Sequence, residues 1–257
     1  MSKITDAFNN KKAFISFLTA GYPSKEDTIQ NILAMGEAGA DIVEIGIPFS
    51  DPIAEGPVIQ HANVEALVNG LTTDDAFDIV KEVRKLSEIP LVFLTYINPV
   101  FYYGYEKFFK QCKLIGVNGI IIPDLPYEEK DEIAKIAKEN NVDVISLIAP
   151  TSKQRIKIIA KDAEGFIYLV SSMGVTGVRS EITTDLQEII NEIRKVTEIP
   201  VSVGFGISTL QQAKEISKIA DGVIVGSAII KIIEKHSANS RDHIFNYTKE
   251  MKDAISN

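Results

Sequence analysis

A single cysteine, Cys112, in 257 residues rules out a disulfide framework within the chain. It stands with Phe108 and Phe109 on what reads as the apolar face of a helix, so a buried structural residue is expected; a reactive thiol is the alternative. No stretch reaches 18 uninterrupted apolar residues, and the first dozen positions carry acidic and amide side chains where a signal peptide needs an apolar run. A cytoplasmic protein that makes no use of a membrane is expected. Positive charge is scarce as well: 27 Lys and Arg against 35 Asp and Glu leave a formal charge of -8, which opposes nucleic acid or an anionic membrane as partner. The three histidines, His61, His236 and His243, are scattered without metal-ligand spacing. Neither a GxxxxGKS/T loop nor a GxGxxG turn after a first strand is present, so no metal site and no nucleotide cofactor are expected. Tryptophan is absent, which by itself excludes nothing.

What the chain has in quantity is apolar material, 45% of its residues, enough for a large core without staples. It is organised in short runs rich in Ile, Val and Phe. Eight read as strands: Phe14–Thr19, Asp41–Gly46, Leu91–Thr95, Gly119–Ile122, Asp143–Ile148, Gly165–Val170, Val201–Gly204 and Gly222–Val225. Between them apolar residues fall three, four and seven apart, as in Ile29, Ile32, Leu33 and Gly36, or Leu186, Ile189, Ile190 and Ile193, the spacing of helices with one buried face. Start signals agree: Ser24 with Asp27, Thr72 with Asp75 and Ser208 with Gln211 each have capping-box spacing.

Strands buried on both faces and alternating with helices close into a barrel or lie as an open doubly wound sheet. An internal echo favours the barrel: Ser87-Glu88-Ile89-Pro90-Leu91 before the third run resembles Thr197-Glu198-Ile199-Pro200-Val201 before the seventh, four units later. With no linker or composition shift, the expectation is one α/β domain over residues 1–257, a (β/α)8 TIM barrel. The site of such a barrel lies at the C-terminal ends of its strands.

There the second run carries Glu44 between Val43 and Ile45. If those two face the helices, alternation sends Glu44 into the barrel, where desolvation would raise its pKa toward that of a general acid/base; a Glu paired with a buried Arg or Lys is the alternative. Eleven residues on, Glu55 lies in a loop with prolines at 48, 52 and 57 and glycines at 46 and 56. It reads either as a second carboxylate over the barrel mouth or as a solvated loop charge. Tyr168, near the end of the sixth run, is a ligand hydrogen-bonder or a core aromatic. Glycine-containing turns follow the last three runs: Met173-Gly174-Val175-Thr176-Gly177, Gly204-Phe205-Gly206-Ile207-Ser208 and Gly226-Ser227. Ser227 opens the last helix, and turns in this order suit a phosphate cradle.

These residues also carry a resemblance. Phe17-Leu18-Thr19-Ala20-Gly21-Tyr22-Pro23, Glu44-Ile45-Gly46-Ile47-Pro48-Phe49-Ser50-Asp51-Pro52, Gly56-Pro57-Val58-Ile59-Gln60, Pro123-Asp124-Leu125-Pro126, Gly174-Val175-Thr176-Gly177 and Val203-Gly204-Phe205-Gly206-Ile207 resemble the tryptophan synthase alpha subunit family, in its order and across essentially the whole chain. The resemblance implies a barrel with an extra N-terminal helix and a lyase that cleaves indole-3-glycerol phosphate to indole and glyceraldehyde 3-phosphate without a cofactor. It places the catalytic carboxyl on Glu44, its partner carboxylate on Glu55 and the active-site tyrosine on Tyr168. Phe17, Ile59, Leu94 and Ile121 would line the indole pocket, and Thr176, Gly177, Phe205, Gly206, Gly226 and Ser227 would bind the rest of the substrate, the phosphate chiefly through backbone N–H groups.

The resemblance further implies a beta subunit that carries pyridoxal phosphate, an α2β2 hetero-tetramer, and allosteric contact through Pro48 and Asp51. Two departures stand out: Glu55 replaces the family's usual Asp, and Ser172 stands where an Arg is common. A stand-alone lyase, another sugar-phosphate barrel enzyme and a non-catalytic activator of the beta subunit remain the alternatives.

Overall fold

The computed structural model describes residues 2–150, 152–171, 179–204 and 206–256, with side chains of 179–185 left aside. Nine strand segments form one parallel sheet: β1 (Ala13–Thr19), β2 (Ile42–Gly46), β3 (Leu91–Leu94), β4 (Gly119–Ile121), β5 (Asp143–Val144), β6 (Ser146–Ile148), β7 (Ile167–Val170), β8 (Val201–Gly204) and β9 (Gly222–Val225). Their order is β5-β4-β3-β2-β1-β9-β8-β7-β6. The two ends of that order are neighbours in the chain. β5 and β6 are halves of the expected fifth strand, separated by Ile145, whose N–H still donates to the Ile120 carbonyl at 2.9 Å. The lower half pairs with β4 and the upper half with β7, so one chain segment closes the sheet into a barrel of eight positions.

Alternation then sorts the side chains. Val43 and Ile45 face the layer between sheet and helices, while Ile15, Ile42, Val92, Ile121, Ile145, Phe166 and Ile224 fill the barrel. The extra N-terminal helix is a single turn, Lys3–Asp6, capped by Ser2. Its Ile4 is fully buried and plugs the lower mouth. Gly119 and Gly165 leave room for it: a Cβ at Gly119 would stand 2.6 Å from Ile4 Cδ1, and one at Gly165 3.1 Å from Ile4 Cγ2.

The echoed segments have the same local structure. Arg84 donates to the Ile89 carbonyl at 2.7 Å and to Asn118 Oδ1 at 3.2 Å; Arg194 donates to the Ile199 carbonyl at 2.8 Å and to an Asp221 carboxyl oxygen. Asn118 Oδ1 accepts the first strand N–H of β3, from Leu91, at 3.0 Å, and Asp221 accepts that of β8, from Val201, at 2.8 Å. Each arginine thus secures the start of a strand to the residue preceding the next one.

Ser24 and Thr72 cap the helices Lys25–Glu37 and Thr73–Arg84 as their spacing implies. The third box is shifted by one: Thr209 with Gln212 caps Leu210–Ser217, because adjacent Ser-Thr and Gln-Gln pairs offer two matches of equal spacing. Three helices add to the simple alternation of strand and helix. Pro57–Val68 follows the loop after β2, Ile97–Tyr103 follows β3, and Ser240–Ser256 succeeds the helix Ser227–His236, which is therefore not the last. Cys112 is fully buried, and burial pushes its thiol pKa up, which answers the reactive-thiol alternative.

Candidate active site

At the upper end of β2 the backbone meets Phe17 of β1 so closely that a Cβ at Gly46 would lie 2.8 Å from the ring. Two residues below, Glu44 points into the barrel with 1% of its surface exposed. Its Oε1 has no hydrogen-bond partner and, among the described residues, no ion pair reaches it. Burial alone pushes its pKa up to about 8, so the side chain is chiefly a neutral acid at neutral pH. The paired-Glu alternative requires a cation that these residues do not supply.

Glu55 sits just before the helix Pro57–Val68, with Gly56 as N-cap and Pro57 in the first turn. It is half-buried rather than solvated. The phenol of Tyr96 donates to its carboxylate, and the same phenol oxygen accepts the Ala54 N–H at 3.0 Å. Gln60 Nε2 holds the Glu55 carbonyl at 2.8 Å. Burial raises the Glu55 pKa, the Tyr96 hydrogen bond opposes this, and the nearby Asp124 charge adds to the rise.

Tyr168 is 6% exposed, and its own pKa is driven up first by burial and then by Glu44 and Glu55. Gly204 on the adjoining strand makes space for its ring: a Cβ there would lie 2.4 Å from the phenol oxygen.

Across the mouth, Gly206 adopts φ +79°, a left-handed conformation suited to glycine. Gly226 is the N-cap of the helix Ser227–His236, and no side chain caps this helix end. A Cβ at Gly226 would be 3.1 Å from Phe17. The uncapped N–H groups and the positive end of the helix dipole make this the place for an anion.

A cavity of about 200 Å³ brings these pieces together. Phe17, Glu44, Glu55, Ile59, Leu94, Tyr168, Gly206, Gly226 and Ser227 all line it. Ile121 is fully buried in the barrel interior and does not form the cavity wall. Pro48 is buried along a separate groove with Phe49, Leu71, Asn98 and Tyr102, and Asp51 is exposed. Thr176, Gly177, Phe205 and the departing Ser172 lie outside the described residues.

Sequence reasoning missed Ala54, Pro123, Leu147, Ile207 and Ile224 in the wall, and Tyr96 behind it. Tyr96 had a signal: it is a polar aromatic two residues past β3, where barrel sites gather. Leu147 and Ile224 had only strand alternation, which does not separate cavity from core.

The arrangement is chemically specific. An apolar slot, bounded by Phe17, Ile59, Leu94 and Ile224, suits a flat aromatic body. A protonated carboxyl stands inside it, a second carboxyl at its side, and an anion-binding helix end at its rim. Among the described residues no cluster of three metal-ligating side chains occurs.

The family model described as tryptophan synthase alpha chain matches residues 4–256. The tryptophan synthase alpha chain of Lacticaseibacillus casei is 49% identical over 255 residues, covering 99% of this chain and 96% of that protein. Among solved structures, tryptophan synthase subunit alpha from Legionella pneumophila superposes with a TM-score of 0.90 at 35% identity, covering 99% of this chain and 98% of that one. A chain of the tryptophan synthase α2β2 complex of Pyrococcus furiosus gives 0.86 at 38% identity, covering 94% and 98%. With the family model spanning nearly every residue and a close relative covering the chain end to end, the chain belongs to the tryptophan synthase alpha chain family.

Proposed function

We propose that the cavity cleaves indole-3-glycerol phosphate into indole and glyceraldehyde 3-phosphate, with Glu44 as the acid and base of the reaction. The observation that carries this reading is Glu44 itself: a buried carboxyl without a cation, held protonated near neutral pH, in the wall of an apolar slot. Retro-aldol cleavage asks for one proton to arrive at the indole C3 carbon and one to leave the adjacent glycerol hydroxyl. Glu44 delivers the first, which leaves the ring as a cation. As carboxylate it then accepts the hydroxyl proton, the carbonyl forms, and the electrons of the breaking C–C bond return to the ring. Proton count and charge balance over the cycle, and no cofactor is required of this chain.

Glu55 accepts a hydrogen bond from the indole N–H and offsets the ring's transient positive charge. Tyr168 borders the reacting carbon chain. Phe17, Ile59 and Leu94 enclose the indole, while Ile121 lies in the barrel interior outside the cavity wall. The N–H groups around Gly206, Gly226 and Ser227 hold the phosphate, together with Thr176, Gly177 and Phe205.

The chain works with a tryptophan synthase beta subunit, which carries the pyridoxal phosphate, in an α2β2 assembly. Supporting a contact on the face with Pro48 and Asp51 are the exposed apolar side chains of Ile53, Phe101 and Tyr102, at 77%, 67% and 93% exposure, in the loops and helix after β2 and β3. No described helix is long and apolar enough to cross a membrane, which fits a cytoplasmic site of action.

The test is cleavage of indole-3-glycerol phosphate by the purified chain, alone and with a cognate beta subunit, repeated with Glu44→Gln. Weak activity alone, raised by the partner and lost in the variant, is expected. Full activity alone would indicate a stand-alone lyase, and cleavage by Glu44→Gln at the parental rate would remove Glu44 from the mechanism.

A further inference from the structure

We infer that Tyr96 is a positioning residue for Glu55, its phenol holding the carboxylate in the cavity wall and ready to receive the substrate N–H. The inference deepens the role proposed for Glu55 and rests on that reading for its catalytic consequence. Glu55 belongs to an irregular loop, and its carbon chain offers several rotamers. The loop alone does not fix where the carboxylate stands.

Tyr96 supplies what the loop lacks. It follows β3, is 1% exposed, and packs its ring against Phe49 with centroids 5.1 Å apart. Its backbone is the N-cap of the helix Ile97–Tyr103, and Asp124, in the loop after β4, accepts the Ile97 N–H at 2.9 Å. The phenol is therefore anchored by two strand ends and an aromatic neighbour. From that anchor one oxygen does two things: it accepts the Ala54 N–H and donates to the Glu55 carboxylate. Main chain and side chain of the Glu55 loop are tied to the same rigid point. Such a tie narrows Glu55 toward one geometry before substrate arrives.

The tie has an electrostatic effect as well. A hydrogen bond donated to a carboxylate favours its charged form. Burial raises the Glu55 pKa most, and Asp124 from the loop after β4 adds to the rise; a backbone hydrogen bond lowers it, and Glu44 and Tyr168 border the same cavity without bringing positive charge. Tyr96 is the neighbouring side chain whose hydrogen bond works against that rise and favours the carboxylate form of Glu55.

The experiment uses the alpha–beta complex with Tyr96→Phe, Glu55→Gln and the double variant. Phenylalanine keeps the ring and its packing on Phe49. The expected loss in kcat/KM for Tyr96→Phe is about tenfold, carried mainly by kcat, with the acidic limb of the pH profile moved to higher pH. In the Glu55→Gln background the same substitution is expected to change kcat/KM less than about twofold, since the coupled partner is gone. Equal losses in both backgrounds would mean that Tyr96 acts only as a piece of structure, and would overturn the inference.

A second readout does not depend on activity. With glutamate side chains labelled at the carboxyl carbon, NMR follows the titration of Glu55, its resonance identified by disappearance in Glu55→Gln. The midpoint is expected to rise in Tyr96→Phe; an unchanged midpoint overturns the inference whatever the kinetics. A shifted midpoint in a complex that does not cleave indole-3-glycerol phosphate leaves Tyr96 in its role toward Glu55 and refutes the reaction instead.

Discussion

Replacing Glu44 by Gln should remove a loss of stability that the parent suffers as pH rises, while it abolishes catalysis, and the size of the effect follows from its environment. Burial raises the Glu44 pKa from 4.5 to about 8. In the unfolded chain the carboxyl ionises through its ordinary range; in the folded chain it stays protonated until about pH 8. Because the folded value is the higher one, the native state is best favoured below pH 4.5 and loses stability as pH climbs to about 8, after which the loss levels off.

Integrated between pH 5 and pH 8, that difference amounts to about 3.5 kcal/mol, close to the limiting slope of ~1.4 kcal/mol per pH unit. A glutamine has no such proton to lose. Its buried amide costs a constant amount at every pH, so the variant's absolute stability is not the informative quantity. The difference between parent and variant as a function of pH is. Urea unfolding followed by far-UV circular dichroism, from pH 5 to 8.5, should show this difference moving by about 4 kcal/mol in favour of the variant, with matched m-values. Parallel pH curves would refute the reasoning. They would show that Glu44 ionises near its ordinary pKa in the folded protein and holds no proton to give to indole C3 at neutral pH.

Further consequences can be checked on single variants. Gly204→Ala puts a methyl 2.4 Å from the Tyr168 phenol oxygen, so the ring must leave its place in the cavity; kcat/KM is expected to fall at least about tenfold with the fold retained by circular dichroism. Arg84→Ala removes the donor to the carbonyls of Gly116, Ser87 and Ile89 at the opposite end of the barrel, and should lower the unfolding free energy by about 3 kcal/mol without altering KM. A changed KM would show that the lower rim communicates with the cavity.

Much of this was legible because a barrel writes its period into the sequence. Strand alternation alone oriented Glu44, and the capping pairs at Ser24 and Thr72 announced two helices. The echo before β3 and β8 proved to be a structural module, since the Ile-Pro step leaves a carbonyl that Arg84 and Arg194 each reach five residues on. What escaped the sequence depended on tertiary neighbours. The break at Ile145 arises where one strand changes partners to close the sheet, and no local residue signals it. The Tyr96–Glu55 contact spans 41 residues and two loops. The position of Tyr96 just past β3 marks it as a candidate at the barrel mouth, but nothing in the sequence pairs it with Glu55.

Asp41 and Asp221 at the lower end of the barrel and Glu44 at the upper end are buried in opposite ways, and this separates architecture from chemistry. At the lower end Asp41, with 4% of its side chain exposed, has Lys11 and Lys252 each at 2.6 Å and accepts the Phe14 N–H at 2.7 Å. Asp221 has Arg194 and the Val201 N–H. Around these two carboxylates cations and backbone donors answer the cost of burial, and the carboxylates serve to register strands and fasten the C-terminal helix. Asp143, at the start of β5, is the exception, with a buried Oδ2 that has no hydrogen-bond partner and a pKa pushed up by burial. At the upper end Glu44 is as deeply buried, with an oxygen left unpaired and no cation in reach among the described residues. Glu55 and Asp124 stand near each other with a phenol and backbone donors in place of lysine or arginine. A salt bridge at either glutamate would make the fold more secure against alkali but would hold Glu44 ionised, and an ionised Glu44 has no proton to deliver. The missing cation is thus the feature that would leave the upper carboxyl a proton to give in the proposed reaction, at a cost in stability that the pH dependence of unfolding should reveal.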